Sequence, residues 1–171
     1  MADLAPQERL QPSLLDRLTD ERPDERVEPR ERRVMSMRRL RECVLRDLSW
    51  LLNADNLAQT EDLGAYPLAA ASTINFGMRD LAGVALSEAL VAEYERELRQ
   101  AILDFEPRII PRTLVVRAIV EADAADQHAL SFEIEGEIWA DPVPMQVLLR
   151  TDVDVESGEA SVRETAGARA G

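Results

Sequence analysis

The sequence predicts a two-layer α+β fold in which two long helices pack on a three- to four-stranded antiparallel sheet, preceded by a flexible N-terminal arm. Three observations predict it. Apolar residues recur every three and four positions through two long stretches, 35–52 and 87–105. After Pro107 the apolar period drops to two, in three successive stretches. Those stretches are joined by short polar or proline-containing connections, so neighbouring strands are antiparallel. At 171 residues the chain fits one ordinary domain able to bury a real core. Its expected organisation is an arm and linker over 1–33, an α+β domain over 34–163, and a tail over 164–171.

Residues 1–12 are polar, carry Pro6 and Pro12, and read as a mobile tail. Ser13 is a candidate helix N-cap for Leu14-Leu15-Asp16-Arg17-Leu18, a short amphipathic segment over 13–18. Such a segment needs a surface to lie on, either its own domain or another chain, and the linker lets it reach both. From 19 to 33 both charge signs are interspersed around Pro23 and Pro29, as in a solvated tether.

In the first long helix Met37, Leu40, Val44, Leu48 and Leu51 form the apolar stripe, widened by Leu45 and Leu52. Arg38, Arg39, Arg41, Glu42, Arg46 and Asp47 fill the opposite side, which reads as a wet face. Cys43, on the same helix, is expected to be a small buried residue. Asn53-Ala54-Asp55-Asn56 ends the helix in turn chemistry. Residues 57–86 lack a period and read as loops with a helical turn or two. Gly77 is expected at positive φ, closing a turn that buries Ile74 and Phe76.

Ser87 is the expected N-cap of the second long helix, whose buried face is Leu90, Val91, Tyr94, Leu98, Ala101, Ile102 and Phe105. The helix stops at Glu106-Pro107-Arg108, where proline removes a backbone donor and biases the residue before it away from helix. Beyond this seam the apolar faces are Leu114, Val116, Ala118 and Val120; then Leu130, Phe132, Ile134 and Ile138; then Met145, Val147, Leu149, Val153 and Val155. A turn at Ser157-Gly158 can return a fourth short strand through Val162. The outer strand then offers open backbone groups unless something covers them, which makes it a template for a strand from another protein.

Composition narrows the function. A formal charge of −13 repels nucleic acid before local contacts form, and the few aromatic residues provide no stacking platform for bases. The lone Cys43 excludes an intrachain disulfide and fits a reducing compartment such as the cytosol. No apolar run approaches the roughly 18 residues of a membrane span, so no direct membrane insertion is expected. His128 is the only histidine and has no cysteine cluster beside it, so neither a metal site nor a serine-type triad is expected. No closely spaced glycines enter a helix after a strand, as a phosphate cradle requires. No catalytic residue, cofactor or metal ligand is therefore assigned. Glu106 and Arg108 remain open to two readings, an intradomain ion pair at a helix stop or a pair of charges matched by a partner.

Several segments, in order over about 13–160, resemble the TssE family, the small baseplate subunit of bacterial type VI secretion systems, related to a baseplate wedge protein of contractile-tailed phages. They are Ser13-Leu14-Leu15-Asp16-Arg17-Leu18, Arg46-Asp47-Leu48-Ser49-Trp50-Leu51-Leu52-Asn53, Tyr66-Pro67, Ser72-Thr73-Ile74-Asn75-Phe76-Gly77 and Phe105-Glu106-Pro107-Arg108-Ile109. Thr73, Ile74 and Phe76 depart mildly from the family's Val, Leu and Tyr. The resemblance implies a non-enzymatic structural subunit of a cytoplasmic baseplate at the membrane-anchored apparatus, despite the lysozyme-like label the family has carried. It implies TssF and TssG as wedge partners, TssK nearby, and the TssB/TssC sheath starting from a sheet edge. Glu106, Pro107 and Arg108 carry over as an assembly determinant, and Leu14, Leu15, Arg17 and Leu18 join them as expected partner-binding residues. The alternative is a peptidoglycan hydrolase.

Overall fold

The computed structural model describes residues 13–19, 36–119, 129–140 and 143–165. Residues 1–12 and 166–171, most of the charged linker and the turn holding His128 lie outside the described residues, while Glu164, expected in the tail, ends the last strand. The fold is the α+β architecture read from the sequence. Its elements run α1 (Leu14–Leu18), α2 (Met37–Leu52), α3 (Pro67–Ala70), α4 (Glu88–Phe105), β1 (Val115–Ile119), β2 (Ala129–Ile138), β3 (Met145–Asp154) and β4 (Ala160–Glu164).

The two long helices start where a serine can cap them. The Ser36 hydroxyl accepts from Arg39 N at 3.1 Å and the Ser87 hydroxyl from Leu90 N at 3.2 Å, satisfying donors that have no partner within the helix. At its far end α4 closes with Glu106 N donating to Ile102 O at 2.9 Å, and Pro107 prevents another turn.

All four strands are antiparallel, in the order β1-β2-β3-β4. Their register sets Val116 opposite Ile134, Ile134 opposite Leu149, and Val153 opposite Ala160, so one face is continuously apolar. Both helices cover that face, α4 chiefly over β1 and α2 over β4. Tyr94 of α4 meets Phe132 of β2 with ring centroids 5.4 Å apart, and Leu48, Leu98 and Ile102 are fully buried beside them. Thr151, the one polar residue on the inner face of β3, donates its hydroxyl to Ser161 O at 3.1 Å.

The fourth strand exists because Gly158 turns the chain at φ +78°, with its N–H donated to Asp154 O at 2.8 Å. Each outer strand also meets a side chain from the helix above it. Glu95 of α4 accepts from Ala118 N at 2.8 Å, and Asn53, at the end of α2, takes both backbone groups of Ala160 at 2.8 and 2.9 Å. The last strand, expected to offer open backbone groups unless something covers them, is thus partly covered.

Segment 57–86 holds α3 and two single helical turns. Gly77 has φ +125°, and a Cβ there would sit 2.2 Å from Ala54 O. The close approach lets Met78 N donate to Ala54 O at 2.8 Å. One expectation for this segment fails: Ile74 is exposed, because the tight helical turn Thr73–Asn75 points it outward, and Met78 and Leu81 fill the core instead. Phe76 is half-buried, edge-on to Phe105 at 5.4 Å. Among the described residues, no helix is long and apolar enough to cross a membrane.

Candidate functional site

The seam between α4 and the sheet is fixed by backbone before any side chain acts. Trp139 N donates to Arg108 O at 2.7 Å and Ile110 N to Glu137 O at 2.8 Å, so residues 108–110 run as a bridge beside the end of β2. Proline at 107 breaks the helix and the bridge re-forms the chain two residues later, which leaves Glu106 and Arg108 side by side.

Their side chains make a forked pair. Arg108 Nε donates to Glu106 Oε1 at 2.7 Å and Nη2 to Oε2 at 2.5 Å, while Arg108 N also donates to Oε1 at 3.1 Å. The Glu106 carboxylate is 3% exposed and Arg108 22%. The same Nη2 reaches Asp47 Oδ2 of α2 at 2.5 Å, so one guanidinium ties the end of α4 to the middle of α2. Burial opposes the charge on Arg108, but Glu106 and then Asp47 more than offset it and raise its pKa further above the ordinary arginine value.

The network continues past Asp47. Its other oxygen accepts from Arg46 Nε at 2.8 Å, and Arg46 Nη1 donates to Asp16 Oδ1 of α1 at 2.8 Å. The Arg46 guanidinium lies 5.0 Å from the Trp50 ring centroid, a cation–π position. Asp16, whose side chain is 3% exposed, also accepts from the Cys43 thiol at 3.3 Å and the Ser13 hydroxyl at 2.5 Å. Burial pushes its pKa up, but the bonds from Ser13, Arg46 and Cys43 together bring it down from 3.8 to about 2. Burial and the facing Asp16 carboxylate push the Cys43 thiol up to about 11, so it stays protonated and donates.

Three carboxylates and two guanidinium groups thus alternate, Glu106–Arg108–Asp47–Arg46–Asp16, and join three sequence motifs that lie far apart along the chain. Glu106 and Arg108 pair within the domain, with Pro107 exposed beside them and part of Arg108 at the surface. The segment at 13–18 lies on its own chain, held by its polar side: Leu14, Leu15 and Leu18 are 71%, 45% and 73% exposed. The side chain of Arg17 lies outside the described residues.

Sequence reasoning missed Asp16, Arg46 and Asp47 as members of one network. Ser13 was legible as a helix cap, but the role of Asp16 beside it needs α2 in place. Arg46 and Asp47 sat on the helix side read as wet, where charged residues carry no mark of a tertiary partner.

Chemically the arrangement is suited to fixing angles. Both oxygens of Glu106 are engaged by Arg108. Among the described residues, no group of three or more His, Cys, Asp and Glu side chains is placed to hold a metal ion. A shallow polar cleft of 250 Å³ runs between 52–55, 78–80 and 157–159 and contains no member of the network.

The model of the family described as baseplate wedge protein gp25 matches residues 38–143, which include Arg46, Asp47, Glu106 and Arg108 and stop short of α1. No curated protein matches the chain. A crystal structure from Geobacter sulfurreducens, provisionally described as a tail lysozyme, is 18% identical, with a TM-score of 0.43 over 67% of this chain and 90% of its own.

Proposed function

The chain belongs to the baseplate wedge protein gp25 family, and on that premise we propose that it is a structural subunit of a type VI secretion baseplate wedge. In this reading it docks on TssF and TssG, lies near TssK at the cytoplasmic face of the membrane-anchored apparatus, and helps start the TssB/TssC sheath through a sheet edge.

The observation that carries the reading is the charge network ending in Glu106 and Arg108. Glu106 is buried and acts by holding the Arg108 fork, while Pro107 and the outer side of Arg108 are the parts a partner touches. Because the fork also ties α4 to α2, the surfaces that dock are held at one angle. The exposed Leu14, Leu15 and Leu18 supply the apolar part of the contact, and Arg17 its charged member. The sheet edge has support from register. Glu159 O and Thr165 N bond towards β3, so by alternation the backbone groups of Ala160, Val162 and Glu164 point away from it, where no further strand follows among the described residues.

Co-purification with TssF and TssG tests the reading. Arg108→Ala alone strands a buried Glu106 at a cost of about 3–5 kcal/mol, so the informative variant is the neutral pair Glu106→Gln, Arg108→Gln. The expected result is wild-type circular dichroism and lost co-purification; binding at native affinity would count against the assembly role. The hydrolase reading is disfavoured by the engaged Glu106 carboxylate, since glycoside cleavage needs a free acid and a second carboxylate across the bond. It would return if purified protein cleared cell walls and Glu106→Gln abolished the activity.

A further inference from the structure

We infer that the Cys43–Arg46 face of α2 is a binding site for the carboxylate of a short capped helical turn, and that α1 fills it as a releasable strap. The first ground is what α1 does not bury. A five-residue helix has no stability of its own. Fully burying a leucine contributes about 1.5–3 kcal/mol, yet Leu14 and Leu18 remain mostly in water and Leu15 nearly half so. Apolar packing therefore contributes little to holding this element.

The second ground is where the anchoring lies. Asp16 is the buried side chain of the strap, and its carboxylate is received by the thiol of Cys43 and the guanidinium of Arg46, one helical turn apart on α2. The Ser13 hydroxyl completes the set from within α1, and the Asp16 backbone N–H lies 3.4 Å from the same hydroxyl. The ligand class is thus specific: a Ser-x-x-Asp turn that carries its own cap, its aspartate aimed at a donor pair.

The third ground is that the receiving face keeps its shape when empty. Arg46 is held from the other side by Asp47 and by the Trp50 ring, and Asp47 is held by Arg108. Release of Asp16 removes one member of the network and leaves the other four paired. A preorganised receptor joined to its ligand by a linker favours rebinding through high local concentration, and the same receptor accepts an equivalent turn from another molecule once the strap is away.

Cys43 is the only cysteine and lies under the strap, so its labelling by a small aromatic disulfide reports the strap's position in the full-length protein. Asp16→Lys, which places a positive charge against Arg46, is expected to speed labelling by about tenfold or more, with circular dichroism unchanged. A synthetic peptide of residues 10–22 added to that variant should restore protection saturably, and the same peptide with Asn in place of Asp16 should not. Arg46→Met should expose Cys43 as Asp16→Lys does, but without rescue by the peptide. Labelling of Asp16→Lys at the wild-type rate, or failure of the peptide to protect it, would overturn the inference.

Discussion

Helices α4 and α1 lie on the same body and are held by opposite means. α4 is fixed by a stripe of buried side chains, with Tyr94, Leu98 and Ile102 against the sheet and its polar side in water. α1 is fixed by one buried carboxylate and leaves its leucines in water. Burial is spread over many contacts and tolerates water, salt and pH. A single carboxylate concentrates the attachment in one ionisable group, so the attachment can be switched off without disturbing the rest. The lesson is that amphipathicity in a short helix does not say which side faces the protein.

The contrast can be broken first from the α4 side. Leu98→Ala removes a fully buried side chain and should destabilise the whole fold by about 2–5 kcal/mol, read as a lower denaturant midpoint. A loss near zero would mean that α4 is not held by burial.

The next effect concerns pH and belongs to α1. Against the opposing effect of burial, the bonds from Ser13, Arg46 and Cys43 depress the Asp16 pKa from 3.8 to about 2, so the carboxylate's contribution is complete above pH 3.8 and is lost as pH falls through about 2. The groups facing it are Arg46, which stays charged, and Cys43, which stays protonated across that range. The contribution is on the order of 2 kcal/mol. Backbone amide resonances of 15–19 should lose their docked shifts in that window before those of α4 change. Simultaneous loss would show that α1 and α4 are one cooperative unit.

The smallest effect is the most discriminating. Leu14→Ala at an exposed position should change stability by less than about 0.5 kcal/mol, measured by the same denaturation. A cost comparable with Leu98→Ala would put α1 in the same class as α4.

The same contrast explains what could be read from the chain alone. The helix stripes of α2 and α4 and the alternation of β1 to β3 were legible because burial imposes a period, and the change of period at Pro107 marked the seam. β4 was legible through Gly158, a position needing positive φ. Ile74 was misread because a single tight turn has no repeat to reveal its facing. Glu106 and Arg108 were legible as a place, since opposite charges flank a proline at a helix end. Their link through Asp47 to Arg46 and Asp16 was not, because a charged residue on a helix surface looks alike whether it faces water or a guanidinium from a distant segment.

The Asn53 side chain gives the margin of the sheet a property of its own. Its amide offers Ala160 one acceptor and one donor, the same pair that a peptide group in an adjoining strand would offer. A segment arriving there exchanges bond for bond, so removing the asparagine creates no unsatisfied group and the ladder could then extend along Val162 and Glu164. At this position the amide works as a stopper: a strand meeting the margin at Ala160 finds both backbone groups already filled.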